Sequence, residues 1–338
     1  MTRSILLALA VLLVLAGVVV AIAYRRDMAV AVAASSAPSR LLDTSFGAIE
    51  YADAGQGAPV LMIHGSGGGF DQGLAFADPL LKAGFRVIAP SRFGYLRSHM
   101  PEGASPERQA DAFAALLDAI GLDRAVVIGG SAGALSAIQF AIRHPDRCSA
   151  LVLVVPASHA PDRPAGTNAS PAAWPLIEAA LGSDILFWAA IKTAPGFMTR
   201  MVLATDPALL ESAGDAERAR VRDMLFHVLP VSRRKPGLLM DMATAGDPPP
   251  SPLETIACPV LAISAKDDLY GTAAAARHIA SSAPDARLVL YDEGGHLLVG
   301  HDAEMWDAIR AFIAGGSGPE PTMRPAAPPR RRPGSETP

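Results

Sequence analysis

The sequence contains little of what several protein classes require. Its 338 residues include only two cysteines, Cys148 and Cys258, which excludes a disulfide-rich scaffold and provides no cysteine set for a metal. The eight histidines show no paired spacing for metal ligands, and the sequence H-E-x-x-H is absent. The formal net charge is -4 and no basic stripe is present, so we predict no nucleic-acid partner.

What the chain does have is one long apolar run at its start. Residues 4–24 carry no charge and are flanked by arginines on both sides. As a helix this run would span about 31 Å, enough to cross the core of a bilayer. A cleaved signal peptide is the alternative, but the charged residues 25–27 separate the run from the nearest A-x-A site. We predict a single-pass membrane anchor over 4–24, a stalk over 25–40, and leave the side of the membrane open.

Beyond the stalk, short apolar runs alternate with amphipathic stretches. Six runs lack polar alternation, as strands covered on both faces do. They are residues 59–63, 86–89, 125–128, 150–155, 259–263 and 287–291. Helical patterns lie between these runs, and a hairpin over 41–54 precedes them. The alternation predicts an α/β fold, a doubly wound and mostly parallel sheet with helices on both faces.

The alternation stops where helical patches replace strands. We predict a helical cap over 157–252, inserted between two parts of the core at 41–156 and 253–314. Aromatic and methionine residues in the cap favour a largely apolar substrate. Within the cap, the basic residues 233–235 are interpreted as an exposed charged turn. The segment 315–338 is rich in proline and glycine, which predicts a disordered tail.

One serine lies in a pattern that favours nucleophilic catalysis. Gly129-Gly130-Ser131-Ala132-Gly133 stands between a predicted strand and a helical pattern, which is the setting of a G-x-S-x-G elbow. A serine on such a sharp turn has a strained backbone, and the outer glycines relieve crowding. We predict Ser131 as the nucleophile and the N–H of Ala132 as an oxyanion donor. A glycine-rich turn needed only for packing is the alternative.

A second glycine-rich segment, His64-Gly65-Ser66-Gly67-Gly68-Gly69, follows the predicted strand 59–63. Its backbone can approach a substrate oxygen closely, so we expect the N–H of Ser66, or else of Gly67, to pair with that of Ala132. A phosphate-binding loop is the rival interpretation, but neither nucleotide-binding glycine motif is complete here. His64 is interpreted as a structural anchor of the loop.

These motifs are followed by Asp267-Asp268 and by Gly295-His296, each after a predicted strand. In this order they resemble the α/β-hydrolase family over roughly residues 41–314, in which the triad runs serine, acid, histidine. The resemblance implies Asp268 as the acid, with Asp267 as the alternative, and His296 as the base. Gly130 departs from the bulkier residue of many relatives, and residues 90–95 are interpreted as a structural turn. A serine at 131 argues against the aspartate-dependent epoxide and haloalkane hydrolases.

Together these features predict a membrane-anchored serine hydrolase that cleaves a carboxylic ester or related acyl bond of a small or medium, largely apolar substrate. Acyl transfer through Ser131, His296 and Asp268 requires neither a cofactor nor a metal. Two alternatives stay open. One is a C–C bond hydrolase of ring-fission diketones with the same triad, and the other is a non-catalytic, membrane-held binding protein on the same fold.

Overall fold

The computed structural model describes residues 2–36, 38–164 and 174–315. Eight strands form one sheet in the order β1-β2-β4-β3-β5-β6-β7-β8. The strands are β1 (Arg40–Thr44), β2 (Gly47–Ala54), β3 (Pro59–Ile63), β4 (Arg86–Pro90), β5 (Ala125–Gly130), β6 (Cys148–Val154), β7 (Val260–Ala265) and β8 (Ala286–Tyr291). Only the β1–β2 and β2–β4 pairs are antiparallel, and the other five are parallel, which confirms the predicted sheet.

The described residues also form twelve α-helices. They are α1 (Thr2–Ala34), α2 (Phe70–Phe76), α3 (Asp78–Lys82), α4 (Pro106–Ala119), α5 (Gly133–Arg143), α6 (Trp174–Leu181), α7 (Asp184–Thr193), α8 (Pro195–Leu203), α9 (Asp215–Phe226), α10 (Lys235–Thr244), α11 (Thr272–Ser282) and α12 (Asp302–Ile313). Helices α4, α5 and α11 cover one face of the sheet, and α2, α3 and α12 cover the other. Alternate residues of β3 explain why both faces need covering: Leu61 and Ile63 point into one core, and Val60 and Met62 into the other.

Among the described residues between β6 and β7, five helices, α6 to α10, lie within the segment predicted as a cap, and residues 165–173 of that prediction lie outside the described residues. The core of these helices is separate from the two cores of the sheet and contains Phe187, Trp188, Met198 and Leu225. The predicted exposed turn at 233–235 is wrong in one respect, because the Arg234 side chain is fully buried. Burial is possible because Asp71 pairs with its guanidinium at 2.7 Å.

The predicted stalk is also wrong over most of its length. Helix α1 does not end with the apolar run but continues to Ala34, and its last turns pack on the cap. The Tyr24 and Trp188 rings meet edge to face at 5.4 Å, and the indole of Trp188 donates to Asp27 at 2.9 Å. Residues 28–37 include neither proline nor glycine, and the first helix-breaking residue is Pro38. The helix therefore extends beyond the apolar run.

The membrane-span prediction rests on the apolar part of α1. The helix is long and apolar enough to cross a bilayer, and its most apolar stretch is not buried against the rest of the protein. A signal sequence would share these properties. The predicted disordered tail, apart from Gly315, lies outside the described residues. Cys148 and Cys258 are buried free thiols whose Sγ atoms lie 3.5 Å apart at the starts of neighbouring strands.

Candidate active site

Ser131 occupies a sharp turn between β5 and α5. Its φ of 50° lies in the left-handed region, which is strained for a residue with a side chain. A Cβ on Gly129 would lie 2.6 Å from that of Ala137, and one on Gly133 would lie 2.5 Å from the His64 carbonyl oxygen. Glycine is therefore required at both outer positions of the elbow, whereas a Cβ on Gly130 would meet open space.

The three side chains predicted as a triad lie in one hydrogen-bonded row. Ser131 Oγ is 2.9 Å from Nε2 of His296, and Nδ1 of His296 is 2.8 Å from Oδ2 of Asp268. They meet because β5, β7 and β8 are parallel, so the loops that follow these strands lie at the same edge of the sheet. The row gives the serine hydroxyl a base and gives that base an acid that orients it.

The environment of Asp268 keeps its carboxylate ionised. Burial raises the pKa of Asp268, but the charge and hydrogen bond of His296, the Thr272 hydroxyl and the Tyr270 N–H outweigh it and lower the pKa below its usual value. An ionised carboxylate fixes the proton of His296 on Nδ1. The lone pair of Nε2 then faces the hydroxyl of Ser131.

Asp267, the alternative acid, binds elsewhere. Its carboxylate accepts hydrogen bonds from the backbone N–H groups of Gly294 at 3.1 Å and Gly295 at 2.8 Å. Both glycines have positive φ, at 138° and 61°, so the loop before His296 adopts a conformation that other residues rarely reach. Asp267 therefore holds the histidine loop, and Asp268 contacts the histidine itself.

The loop after β3 approaches the nucleophile from the other side. A Cβ on Gly65 would lie 3.1 Å from that of Ser131. The N–H of Gly67, the alternative oxyanion donor, instead donates to the Tyr95 hydroxyl at 3.2 Å. Gly67 is therefore not available to a substrate oxygen in this arrangement. Within the described part of the chain, the N–H groups of Ser66 and Ala132 make no hydrogen bond, which leaves this predicted pair available to a ligand.

Sequence reasoning missed a buried polar network beneath this loop. Arg92 lies in the segment interpreted as a structural turn, yet its guanidinium binds both oxygens of Asp241 at 2.7 and 2.6 Å. Asp241 also accepts from the hydroxyls of Tyr95 at 2.5 Å and Ser66 at 2.8 Å. A lone arginine in an apolar turn and a lone aspartate in a helix far along the chain gave no signal that they meet.

A cavity of about 110 Å³ opens above Ser131. Its wall is mostly apolar, with side chains from the sheet, the cap and the histidine loop, including Met62, Val155, Leu203, Met224, Val228 and Leu298. Beyond the triad, the polar residues His64, Ser66, Gln72, Arg220 and Tyr270 also line the cavity, and Arg220 is the one cation among its described lining residues. Arg220 is already paired with Glu217 at 2.6 Å and with the Leu297 carbonyl at 2.8 Å, which reduces its attraction for a ligand anion.

Comparisons with known proteins agree with the fold. The profile of the α/β-hydrolase-fold family matches residues 58–222, just under half of the chain. A 2-hydroxy-6-oxononadienedioate/2-hydroxy-6-oxononatrienedioate hydrolase of Paraburkholderia xenovorans is 40% identical over 112 residues, which cover 31% of this chain and 39% of the relative. A 2-hydroxy-6-oxo-6-phenylhexa-2,4-dienoate hydrolase of Burkholderia cepacia is 34% identical over 32% of this chain and 40% of the relative.

A solved α/β-hydrolase-fold protein of Nakamurella multipartita is 29% identical, with a TM-score of 0.65, and the match covers 82% of this chain and all of that one. The curated relatives, by contrast, are matched over only about two fifths of their length. A stretch of 112 residues is also shorter than the 165 positions between Ser131 and His296, so such a match never includes the whole triad.

Proposed function

Because this chain belongs to the α/β-hydrolase family, we propose that it is a serine hydrolase whose nucleophile is Ser131. The observation that carries the proposal is the contact of Ser131 Oγ with Nε2 of His296 at 2.9 Å, beneath an open cavity. Asp268, on the far side of the imidazole, selects the tautomer that accepts the serine proton. The positions of the three side chains and the tautomer of His296 together suit acyl transfer.

The reaction proceeds in two halves. Ser131 Oγ attacks the substrate carbonyl while His296 Nε2 takes its proton, and the tetrahedral oxyanion lies against the N–H groups of Ser66 and Ala132. The imidazolium then protonates the leaving group, which departs and leaves an acyl ester on Ser131. Water, deprotonated by His296, attacks that ester and releases the acid and the free serine.

The preferred substrate is a carboxylic ester with a small or medium apolar acyl part. A mostly apolar wall favours hydrocarbon over charged groups, and the one arginine that reaches it is neutralised by Glu217. A cavity of about 110 Å³ accommodates a short acyl chain at the nucleophile.

The test is turnover of an activated short-chain ester together with labelling by a fluorophosphonate. Ser131→Ala should abolish labelling and lower turnover on the order of a thousandfold or more. Ser136→Ala, a buried serine of α5 that bonds to the Gly133 carbonyl, is the matched control and should keep both. A wild-type protein that neither labels nor turns over any ester or diketone would instead favour the non-catalytic binding protein.

Cleavage of a C–C bond is the second candidate, and the names of the two curated relatives favour it. In that reaction the same serine attacks a ketone, the adjacent C–C bond breaks, and the carbon leaving group takes the proton that His296 removed from Ser131. Rates on a vinylogous diketone and on an ester of similar size would separate the two. A higher kcat/KM for the diketone would replace the ester assignment.

We further propose that α1 is an uncleaved membrane anchor. Its last turns contribute Tyr24, Asp27 and Met28 to the packing of the cap, whereas a segment removed on export would leave these contacts unmade. Asp27 also binds Lys192 of α7 at 2.8 Å. The anchor therefore brings the cap, and the cavity beneath it, close to the lipid surface.

Exposed apolar side chains on the cap support this placement. Outside α1, most of the large apolar side chains exposed among the described residues lie on the cap or on the loop after β7. They are Ile185, Leu186, Phe197, Met201, Leu269 and Tyr270, which we term the cap patch. Tyr270 also lines the cavity, and its hydroxyl donates to the carbonyls of Met201 and Val202 at 3.4 and 3.3 Å. Apolar patches of this kind mark membrane or protein contacts, and the adjoining anchor favours the membrane.

A further inference from the structure

Four consecutive residues of the loop after β3 are each held by a different side chain. The Gly65 carbonyl accepts from Arg92 at 3.1 Å, and the Ser66 hydroxyl donates to Asp241 at 2.8 Å. The Gly67 N–H donates to the Tyr95 hydroxyl, and the Gly68 carbonyl accepts from Arg234. Loops with this many glycines have wide backbone freedom, so these bonds determine the conformation of this loop.

Asp241 is the centre of that set of contacts. Its carboxylate accepts from Arg92, Tyr95 and Ser66, and its side chain is only 4% exposed. Arg92 is equally enclosed at 7%, so each charge depends on the other to remain buried. Removal of one partner would leave an uncompensated charge under the loop.

The network around Asp241 joins the cap to the core. Asp241 belongs to α10, the last helix of the cap, whereas Arg92, Tyr95 and Ser66 all belong to the first part of the core. A second ion pair also joins the cap to the core, because Arg234 of the cap binds Asp71 of the core at 2.7 Å. Arg234 donates to the Gly68 carbonyl of the same loop. The loop is therefore held in place by the cap as well as by the sheet.

We propose that Asp241 is a positioning residue for the oxyanion hole, and that it transmits the docked position of the cap to the N–H of Ser66. With α10 in place, Asp241 holds the Ser66 side chain and orients the Tyr95 hydroxyl that binds Gly67. The Ser66 N–H then remains free to meet a substrate oxyanion beside that of Ala132. A cap displaced from the core removes these bonds, so the oxyanion hole is complete only while α10 is docked on the core. This inference rests on the proposed serine-hydrolase function.

The test compares kcat and KM for an activated ester among variants of the full chain. Asp241→Asn and Ser66→Ala should lower kcat by roughly tenfold to a hundredfold, with KM changed less than about threefold, because the oxyanion forms only in the transition state. Affinity for a trifluoromethyl ketone, whose serine adduct carries an oxyanion, should fall in parallel with kcat. Affinity for the product acid should not change.

Asp184→Asn is the matched control. This cap carboxylate also binds one serine, accepting from the N–H and hydroxyl of Ser232 at 2.9 and 2.8 Å, but it does not touch the loop. It should keep wild-type kcat. In a double-mutant cycle, Ser66→Ala should add little to Asp241→Asn, because both changes act through the hydrogen bond between Ser66 and residue 241.

The outcomes separate the two proposals. If the wild type and Asp184→Asn turn over the ester and Asp241→Asn matches them in kcat, Asp241 has no positioning role and the serine-hydrolase assignment stands. Equal losses of affinity for the ketone and the product acid would assign Asp241 a structural role only. If the wild type itself neither labels nor turns over substrate, the proposed function fails, and this inference fails with it. Ser66→Ala removes a single hydroxyl, so it decides the matter even if Asp241→Asn folds poorly.

Discussion

Oδ2 of Asp268 lies 2.8 Å from Nδ1 of His296, whereas the adjacent Asp267 binds the backbone of the loop that carries the histidine. Two neighbouring carboxylates thus act on one imidazole in different ways. One touches the ring and orients its proton, and the other stabilises the backbone conformation that delivers the ring.

Asparagine at these two positions should separate the roles. Asp268→Asn should lower kcat for an ester by about a thousandfold to ten-thousandfold, because an amide favours the wrong tautomer of His296. Asp267→Asn retains one acceptor for Gly294 or Gly295 and should cost only about tenfold or less. Steady-state kinetics with a melting curve for each variant checks this, and equal losses would argue against Asp268 as the acid.

Alanine at two glycines of the elbow should have opposite outcomes. Gly130→Ala places its Cβ in open space beside the cavity and should fold normally, with activity shifted toward shorter acyl chains. Gly133→Ala would press a Cβ to 2.5 Å from the His64 carbonyl and should lose several kcal/mol of stability. Thermal unfolding and a chain-length series of esters measure the two effects. A stable, active Gly133→Ala protein would contradict the geometry of the elbow.

His64 should make stability depend on pH. Burial lowers its pKa well below the usual 6.5, and the charges of Arg92 and Arg234 lower it further, against a weaker opposing bond to Gly65. Below about pH 6.5, His64 therefore binds a proton in the unfolded chain but stays neutral in the folded chain. Stability is retained above pH 6.5 and is lost as the pH falls below it, at about 1.4 kcal/mol per pH unit from this residue.

Denaturant unfolding of the wild type and His64→Gln between pH 7.5 and about pH 5 tests this dependence. Glutamine keeps hydrogen-bonding capacity but does not titrate, so its curve should be flatter by that slope. This window lies above the range in which Asp268, whose pKa is lowered from 3.8, begins to lose its contribution on acidification. Parallel curves for the two proteins would refute the assignment to His64.

The membrane proposal predicts that α1 remains in the mature protein. The intact mass of the chain extracted from membranes should include residues 1–34, because Tyr24 and Asp27 pack on Trp188. Release into the soluble fraction by carbonate, or a mass that lacks the first 33 residues, would identify a signal sequence instead. Both measurements are made on the protein as expressed.

The cap patch should matter only for substrate held in a bilayer. Phe197 and Met201 are 62% and 58% exposed, so Phe197→Ser and Met201→Ser should leave turnover of a water-soluble ester unchanged. Each should reduce turnover of an ester embedded in phosphatidylcholine vesicles by about fivefold, since less apolar surface enters the lipid. Leu41→Ser, on the edge strand β1 and 51% exposed, is the control. If all three variants turn over the vesicle-bound ester at the wild-type rate, this face does not contact the membrane.

The fold followed from local patterns in the sequence. Apolar runs without polar alternation marked every parallel strand within two or three residues of its bounds, because a strand covered on both faces needs apolar side chains throughout. The bounds of individual cap helices such as α8 and α10 did not follow from such patterns. Each begins with proline in its first turn, which reads as a loop signal, and their apolar positions depend on packing within the cap.

The sequence by itself determined the sheet, the elbow at Ser131 and the choice of three candidate side chains, since strand burial, glycine sterics and chain order are local properties. Only the tertiary structure decided which of two adjacent aspartates reaches His296, which loop N–H remains free, and that Arg92 and Asp241 neutralise each other under the loop. These outcomes depend on contacts between residues far apart in the chain. A buried charge is tolerated only beside its partner, and the partner is chosen by the packing of the cap on the core.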